Sequence, residues 1–301
     1  MPDKLQHLAP RLAFPALILA NLFLAAGPWM VRVADVGPVA AGFWRLALAL
    51  PLLAVLAAWQ GRPSWGLVAA VAVGGLFFAA DLAAWHVGIL QTKLANATLF
   101  GNFASFLFAI YGFVLLRRLP GRVPTIALLL AAFGTALLLG RSYELSHVNL
   151  VGDLFCLLAG LFYTFYLIAV DRARRSLAAF PTLFIATAAG ALPLLLFALG
   201  LGEKVLPTDW WPVILLSVGS QLFGQSLLVF AMGHLSPMVT GLGLLTQPIA
   251  AAAIGWVVYG ERLATLDVMG ALFVCAGLVL IRLPQNPATD RPLATAPARD
   301  H

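Results

Sequence analysis

The sequence predicts an all-α integral membrane protein with ten transmembrane helices, arranged as two inverted five-helix repeats. The 301-residue chain is 62% hydrophobic and only 10% charged, whereas soluble domains carry roughly 25% charged residues. Ten apolar stretches with short connections follow one another, and the second five repeat the pattern of the first five. Because five is an odd number, the second copy enters the membrane from the opposite side.

We number the apolar stretches as segments 1 to 10. A helix crosses the roughly 30 Å hydrocarbon layer in about 20 residues. Prolines mark many of the connections, because the first turn of a helix tolerates the missing N–H of proline. The predicted segments cover residues 11–31, 38–59, 65–90, 95–116, 123–140, 150–170, 180–201, 211–232, 236–258 and 266–282.

The segments divide into two repeats with a short extension at each end. Segments 1–5 form the first repeat, residues 11–140, and segments 6–10 form the second, residues 150–282. Residues 1–10 are predicted to be a cytoplasmic N-terminus. The tail 283–301 is polar and rich in Pro and Ala, which predicts a disordered cytoplasmic segment.

A residue-by-residue correspondence supports the duplication. When Asn102 is aligned with Gln247, Gly88 falls on Gly233. Inverted repeats of this kind build secondary transporters, whose substrate site lies near the membrane midplane between the halves. The sequence therefore predicts transport by alternating access around a central cavity, with a small molecule as the partner.

The distribution of Lys and Arg predicts the orientation. With the N-terminus inside, twelve of these residues fall in cytoplasmic segments and five on the opposite side, while Arg45 lies within segment 2. The positive-inside rule then places both termini in the cytoplasm. The net charge of +6 indicates contact with anionic lipid of the bilayer, and no nucleic-acid partner is predicted.

Other function classes fit the sequence less well. It has no Gly-x-Ser-x-Gly elbow, His-Glu-x-x-His pair or phosphate-binding loop, so no enzyme activity is predicted. No cofactor or metal site is predicted, because Cys156 and Cys275 lack the spacing of metal ligands. A non-transporting scaffold or receptor is the alternative of a different class, but it leaves the inverted duplication unexplained.

Polar side chains inside the apolar segments are the candidates for a substrate site. An ionisable group at the bilayer centre costs roughly 2.5–3.5 kcal/mol on insertion scales, so such groups mark function. We predict a cavity lined by segments 1, 3, 4, 6, 8 and 9. For individual amides, hydrogen bonding between helices is the alternative role. The predicted substrate-binding residues are Asn21, Trp85, Asn102, Tyr163, Gln225 and Gln247.

Arg45 and Asp81 are predicted to serve gating or coupling. At 1.5 Å rise per residue they lie about 10 Å and about 13 Å below the same membrane surface. We expect them to form an ion pair that acts as a structural anchor or gate. The alternative is an unpaired Asp81 that carries a proton.

The second repeat carries a family motif. Segments 9 and 10 contain Ser236, Pro237, Pro248, the turn Gly260, Glu261, Arg262 and Leu263, and then Gly270 and Gly277. These residues resemble the last two helices of the drug/metabolite transporter superfamily in its EamA-like branch. The first repeat resembles the family more loosely, since Leu116, Arg117 and Arg118 replace the Gly-Glu-Arg turn. The resemblance extends over residues 12–282.

The resemblance implies a more specific function. It implies a secondary transporter of a small metabolite in the bacterial inner membrane, acting as a monomer or a homodimer. An exporter of amino acids or similar small amphipathic solutes is the expected activity, with aromatic amino acid exporters as one neighbour. A multidrug, nucleobase or other metabolite transporter of the same fold is the alternative.

Overall fold

The computed structural model describes residues 2–60, 63–92, 100–116, 121–140, 150–259 and 265–282. Every regular element in these ranges is a helix, which confirms the all-α prediction. The described helices overlap the segments that the sequence predicted. Their bounds are Pro2–Ala25 and Gly27–Val33 in segment 1, Pro38–Ala47 and Leu50–Ala58 in segment 2, Trp65–Gln91 in segment 3, Phe103–Leu116 in segment 4, Arg122–Gly140 in segment 5, Leu150–Ala173 in segment 6, Ala179–Gly200 in segment 7, Trp211–Leu216, Ser217–Gln225 and Ser226–Met232 in segment 8, Pro237–Leu244 and Thr246–Tyr259 in segment 9, and Thr265–Arg282 in segment 10.

The chain is a multi-pass membrane protein. Six helical segments of the described ranges, numbers 1, 2, 3, 6, 7 and 8, are long and apolar enough to cross a bilayer. The apolar helices of segments 4, 5 and 10 are shorter. Large apolar side chains such as Leu129, Leu192 and Val257 are 60–75% exposed, as expected for a surface covered by lipid. The tail 283–301 and the turn 260–263 lie outside the described residues.

Three segments that the sequence predicted as continuous are interrupted. Each break precedes a proline by three or four residues, because a proline ring clashes with the carbonyl four positions earlier and removes a backbone hydrogen bond. Segment 1 also begins earlier than predicted, since its first helix starts at Pro2. The helices end at Ala25, Ala47 and Leu244, ahead of Pro28, Pro51 and Pro248 respectively.

The segments pack in a regular scheme. Segment 3 lies against segment 6, and segment 1 against segment 8. Segment 4 contacts segment 6, and segment 1 contacts segment 9. Segments 2 and 7, 4 and 9, and 5 and 10 pack as pairs. At the contact of segments 3 and 7, a Cβ on Gly75 would lie 2.3 Å from the carbonyl oxygen of Ala186, so the two backbones touch.

Polar contacts between the repeats hold one end of the bundle, which we call the 201–210 end after its connection. The Glu203 carboxylate accepts hydrogen bonds from the backbone N–H groups of Val39 (3.3 Å) and Ala40 (2.8 Å). Lys204 Nζ lies 2.6 Å from Asp35 Oδ2. The hydrogen bond from the Lys204 ammonium group is the largest cause that holds the pKa of Asp35 well below its usual range, and a hydrogen bond from the Thr208 backbone N–H is the second.

The opposite end, which we call the 171–178 end, has its own contacts. The Gln60 Oε1 atom accepts a hydrogen bond from the Phe180 N–H at 3.2 Å. Asp171 lies 3.0 Å from Arg175 and accepts a hydrogen bond from the Tyr111 hydroxyl at 3.5 Å. Each end of the bundle is therefore tied by side chains that join distant parts of the chain.

Candidate functional site

A cavity of about 130 Å³ lies between the two halves of the chain. Segments 1, 3, 4, 6, 8 and 9 line it, and segment 2 adds one side chain, that of Arg45. Its surface is both polar and aromatic, which suits a solute with polar and apolar parts. The polar and aromatic lining side chains are Arg45, Phe78, Asp81, Trp85, His86, Asn102, Ser105, Tyr163, Gln225 and Gln247.

Irregular backbone borders this cavity at three places. Ala25, Gly27 and Pro28 line it at the break in segment 1. Leu244 and Gln247 line it on both sides of the break in segment 9. Segment 8 passes the cavity as a π-helix, Ser217–Gln225. Non-helical backbone at membrane depth occurs where it is buried in protein or lines a cavity, and π-helical turns are frequent at functional sites.

Seven of the eight residues predicted as substrate-binding, gating or coupling line this single cavity. They come from six different segments that are distant in sequence, and the fold brings them together between the repeats. These residues are Arg45, Asp81, Trp85, Asn102, Tyr163, Gln225 and Gln247.

Asn21, the eighth residue, does not line the cavity. Its side chain is fully buried, and its Nδ2 atom donates hydrogen bonds of 2.8 Å to the Gly243 carbonyl and to Thr246 Oγ1. These contacts join segment 1 to segment 9 at the break after Leu244, where carbonyl groups lose their helical partners. In this structure the Asn21 amide therefore connects two segments, as in the alternative role described for a buried amide.

Arg45 and Asp81 line the same cavity, but within the described part of the chain no direct ion pair joins them. The expected ion pair is thus absent from this structure. The Arg45 Nε atom instead donates a hydrogen bond to Gln221 Oε1 at 3.2 Å. Its guanidinium carbon lies 5.5 Å from the centroid of the Phe78 ring, within the range of a cation–π interaction.

Gln221 lies beside the site and was not among the residues predicted from the sequence. It is fully buried, and its Nε2 atom donates a hydrogen bond to Thr187 Oγ1 at 2.9 Å. Through Gln221, segment 8 connects Arg45 on segment 2 to Thr187 on segment 7. The sequence signal was the spacing of Gln221 and Gln225, since residues four apart lie on the same helix face.

An aromatic stack supports the cavity wall. The rings of Phe78 and Tyr166 are stacked with centroids 4.5 Å apart, and Tyr163 lies 5.7 Å from Tyr166. The Tyr166 hydroxyl donates to Gln225 Oε1 at 3.1 Å. Aromatic pairs at such distances stabilise the packing beyond the area they bury. Arg45 and Gln225 thus contact one group of stacked rings on segments 3 and 6.

Known proteins resemble this chain in its overall fold and, over the second half, in its sequence. One solved crystal structure of a protein is 17% identical in sequence, covers 91% of this chain and 96% of its own, and superimposes with a TM-score of 0.76. This likeness concerns the fold alone. No curated protein matches the sequence. Residues 150–283, just under half of the chain, match the EamA-like transporter family.

Proposed function

We propose that the protein is a secondary transporter that exports a small amphipathic metabolite, such as an amino acid, by alternating access around the central cavity. The observation that carries the proposal is the cavity itself. It combines a guanidinium, a carboxylate and several amides with aromatic faces, at the point where three segments lose regular helical backbone. The match of residues 150–283 to the EamA-like transporter family supports the proposal that the protein transports small solutes.

The packing scheme supports two inverted repeats. If the repeats are equivalent, segments 1 to 5 correspond to segments 6 to 10 in order. The contact of segments 3 and 6 then corresponds to that of segments 8 and 1, and the contact of segments 4 and 6 to that of segments 9 and 1. All four contacts are present. The pairs 2 and 7, 4 and 9, and 5 and 10 each join two equivalent segments, so the exchange leaves these contacts unchanged. Inverted repeats with this relation exchange their conformations when access alternates.

The position of the cavity supports one accessible side at a time. Several lining residues lie near the 201–210 end: Pro28 and Val31 late in segment 1, His86 late in segment 3, and Leu216 early in segment 8. At the 171–178 end the described segments meet through Asp171 and its partners. With both termini in the cytoplasm, as the charge distribution predicts, these lining residues lie toward the outer side of the membrane.

A complete topology belongs to the same proposal. We propose that all ten segments cross the bacterial inner membrane and that both termini are cytoplasmic, with the monomer or a homodimer as the working unit. A multidrug or nucleobase transporter of this fold is the second candidate, favoured by the aromatic rings of Phe78, Trp85 and Tyr163 around the cavity, because flat rings stack on aromatic side chains.

Flux in proteoliposomes tests the proposal. Purified full-length protein is reconstituted, and uptake of a panel of radiolabelled amino acids, nucleobases and cationic dyes is measured with and without a pH gradient. We expect saturable uptake that an excess of unlabelled solute suppresses. The lipid-facing variant Leu129→Ala serves as the matched control and should transport normally. Flux that does not saturate for any solute, or no flux at all, would contradict the proposal.

A further inference from the structure

We propose that the terminal guanidinium nitrogens of Arg45 form a carboxylate-binding subsite of the cavity, and that Gln221 is the residue that positions them. This inference rests on the proposed function, because a solute must enter the cavity to reach Arg45. It adds the side chain that would bind the carboxylate of such a solute, and a residue that acts on the site through another side chain.

The hydrogen bonding of Arg45 points to a missing partner. Its side chain is only 8% exposed, and its Nε atom is occupied by Gln221. Within the described part of the chain, the two terminal nitrogens of Arg45 donate no hydrogen bond, while the side chain lines the cavity. A buried cation without a hydrogen-bonded anion is costly. An anionic group of a bound solute would remove this cost.

The surroundings of Arg45 orient the guanidinium for such a partner. Gln221 holds the Nε edge, and Thr187 in turn holds Gln221. The ring of Phe78 covers one flat face. The edge with the two terminal nitrogens is then the part left for a ligand, and two parallel N–H groups match the two oxygens of a carboxylate. Because the positioning group is a neutral amide, the positive charge of Arg45 is not neutralised by it.

The position of Asp81 bears on whether the solute is a zwitterion or a simple carboxylate. It lines the same cavity without a direct ion pair to Arg45, so it is placed to contact a second group of the solute. A zwitterionic amino acid would present its ammonium group there. A simple monocarboxylate would use Arg45 alone. Both kinds of solute would bind Arg45 through a carboxylate, and the experiment below distinguishes the zwitterion from the monocarboxylate.

Three probes of equal ring size test the subsite. L-Phenylalanine carries both charges, 2-phenylethylamine lacks the carboxylate, and 3-phenylpropionate lacks the ammonium group. Binding to the purified full-length protein in nanodiscs is measured by calorimetry. We expect phenylalanine to bind at least tenfold more tightly than phenylethylamine. Phenylpropionate that binds as tightly as phenylalanine would indicate simple carboxylates, whereas weaker binding would indicate zwitterions; either result supports the subsite.

Variants separate recognition from structural support. Arg45→Gln should weaken binding of phenylalanine at least tenfold and leave phenylethylamine nearly unchanged. Arg45→Lys retains the charge but loses the paired nitrogens, so an intermediate affinity is expected. Gln221→Leu should weaken phenylalanine binding severalfold. Arg174→Gln is the matched control, because Arg174 is a half-buried arginine whose Nε donates to the Val229 carbonyl away from the cavity.

Several outcomes would overturn the inference. Equal binding of phenylalanine and phenylethylamine by the natural protein would do so without any variant. An equal loss of both probes in Arg45→Gln would reduce Arg45 to a structural role, and unchanged affinity in Gln221→Leu would remove its positioning role. If no probe binds while another solute still shows saturable flux, the carboxylate subsite is wrong and the proposed function stands. If no solute shows saturable flux, the proposed function itself fails.

Discussion

Glu203 caps the helix Pro38–Ala47, since its Oε2 atom accepts a hydrogen bond of 2.8 Å from the backbone N–H of Ala40, which lies 163 residues earlier in the chain. The N-cap residue of that helix is Gly37, which has no side chain to do this. At the other end of the bundle, Gln60 accepts a hydrogen bond from Phe180 in the corresponding place of segment 7. The two repeats thus cap each other's helices.

Removing this cap should destabilise the protein without altering the cavity. Glu203→Ala leaves two N–H groups at a helix N-terminus without their partner, and loss of an N-cap costs typically about 1 kcal/mol. We expect a lower midpoint of thermal unfolding in detergent and unchanged solute affinity. Glu203→Gln is the control, because it retains an acceptor and should lose less stability. A midpoint unchanged in Glu203→Ala would show that the cap is not needed.

Asn21→Leu should also affect stability more than binding. The Asn21 amide joins segments 1 and 9 through Gly243 and Thr246, and polar contacts between membrane helices contribute on average about 0.6 kcal/mol. We expect a modest loss of thermal stability with the dissociation constant for solute unchanged. A large loss of solute affinity in a stable Asn21→Leu protein would instead support the substrate-binding role predicted from the sequence.

Asn102 and Gln247 should show the opposite behaviour. Both line the cavity and lie at equivalent positions of the two repeats in the sequence alignment. Asn102→Leu and Gln247→Leu should reduce saturable flux while the protein remains folded, because each replaces a hydrogen-bonding amide with an apolar side chain of similar size. Flux and size-exclusion profiles provide the two measurements. Normal flux in both variants would assign these amides to packing.

We expect the interaction energy between Asp81 and Arg45 to be small, so that a substitution of either residue alone leaves the protein folded. Breaking a direct buried ion pair costs 3–5 kcal/mol, but no such pair joins them in the described chain. We expect a double-mutant cycle of Asp81→Asn and Arg45→Gln to give a coupling well below that range. A strongly unstable Asp81→Asn protein that Arg45→Gln rescues would restore the ion pair expected from the sequence. A stable Asp81→Asn protein that loses the pH dependence of flux would identify Asp81 as the coupling residue.

The orientation can be measured with single cysteines. In a background without Cys156 and Cys275, Leu206→Cys in the connection after segment 7 should react with an impermeant maleimide from outside intact cells. Ser176→Cys, in the connection after segment 6, should react only after permeabilisation. Both side chains are exposed. The reverse pattern would invert the topology.

The helical segments and most of the cavity residues follow from local features of the sequence. Apolar stretches of membrane length must satisfy their own backbone hydrogen bonds, which makes them helices. Arg45, Asp81 and Gln225 were recognisable because polar groups inside such stretches need a reason to be there. The duplication then indicated that these residues meet between the halves.

Only the tertiary structure decided which atoms meet. Asn21 and Gln247 read alike in the sequence, as amides inside apolar segments, yet one bonds a carbonyl of a neighbouring helix and the other lines the cavity. Whether Arg45 faces Asp81 or Gln221 depends on the side-chain geometry of segments 2, 3 and 8 together, which the π-helical stretch Ser217–Gln225 alters. Residue type and spacing determine that a buried polar group needs a partner, whereas the partner is set by the packing of distant helices.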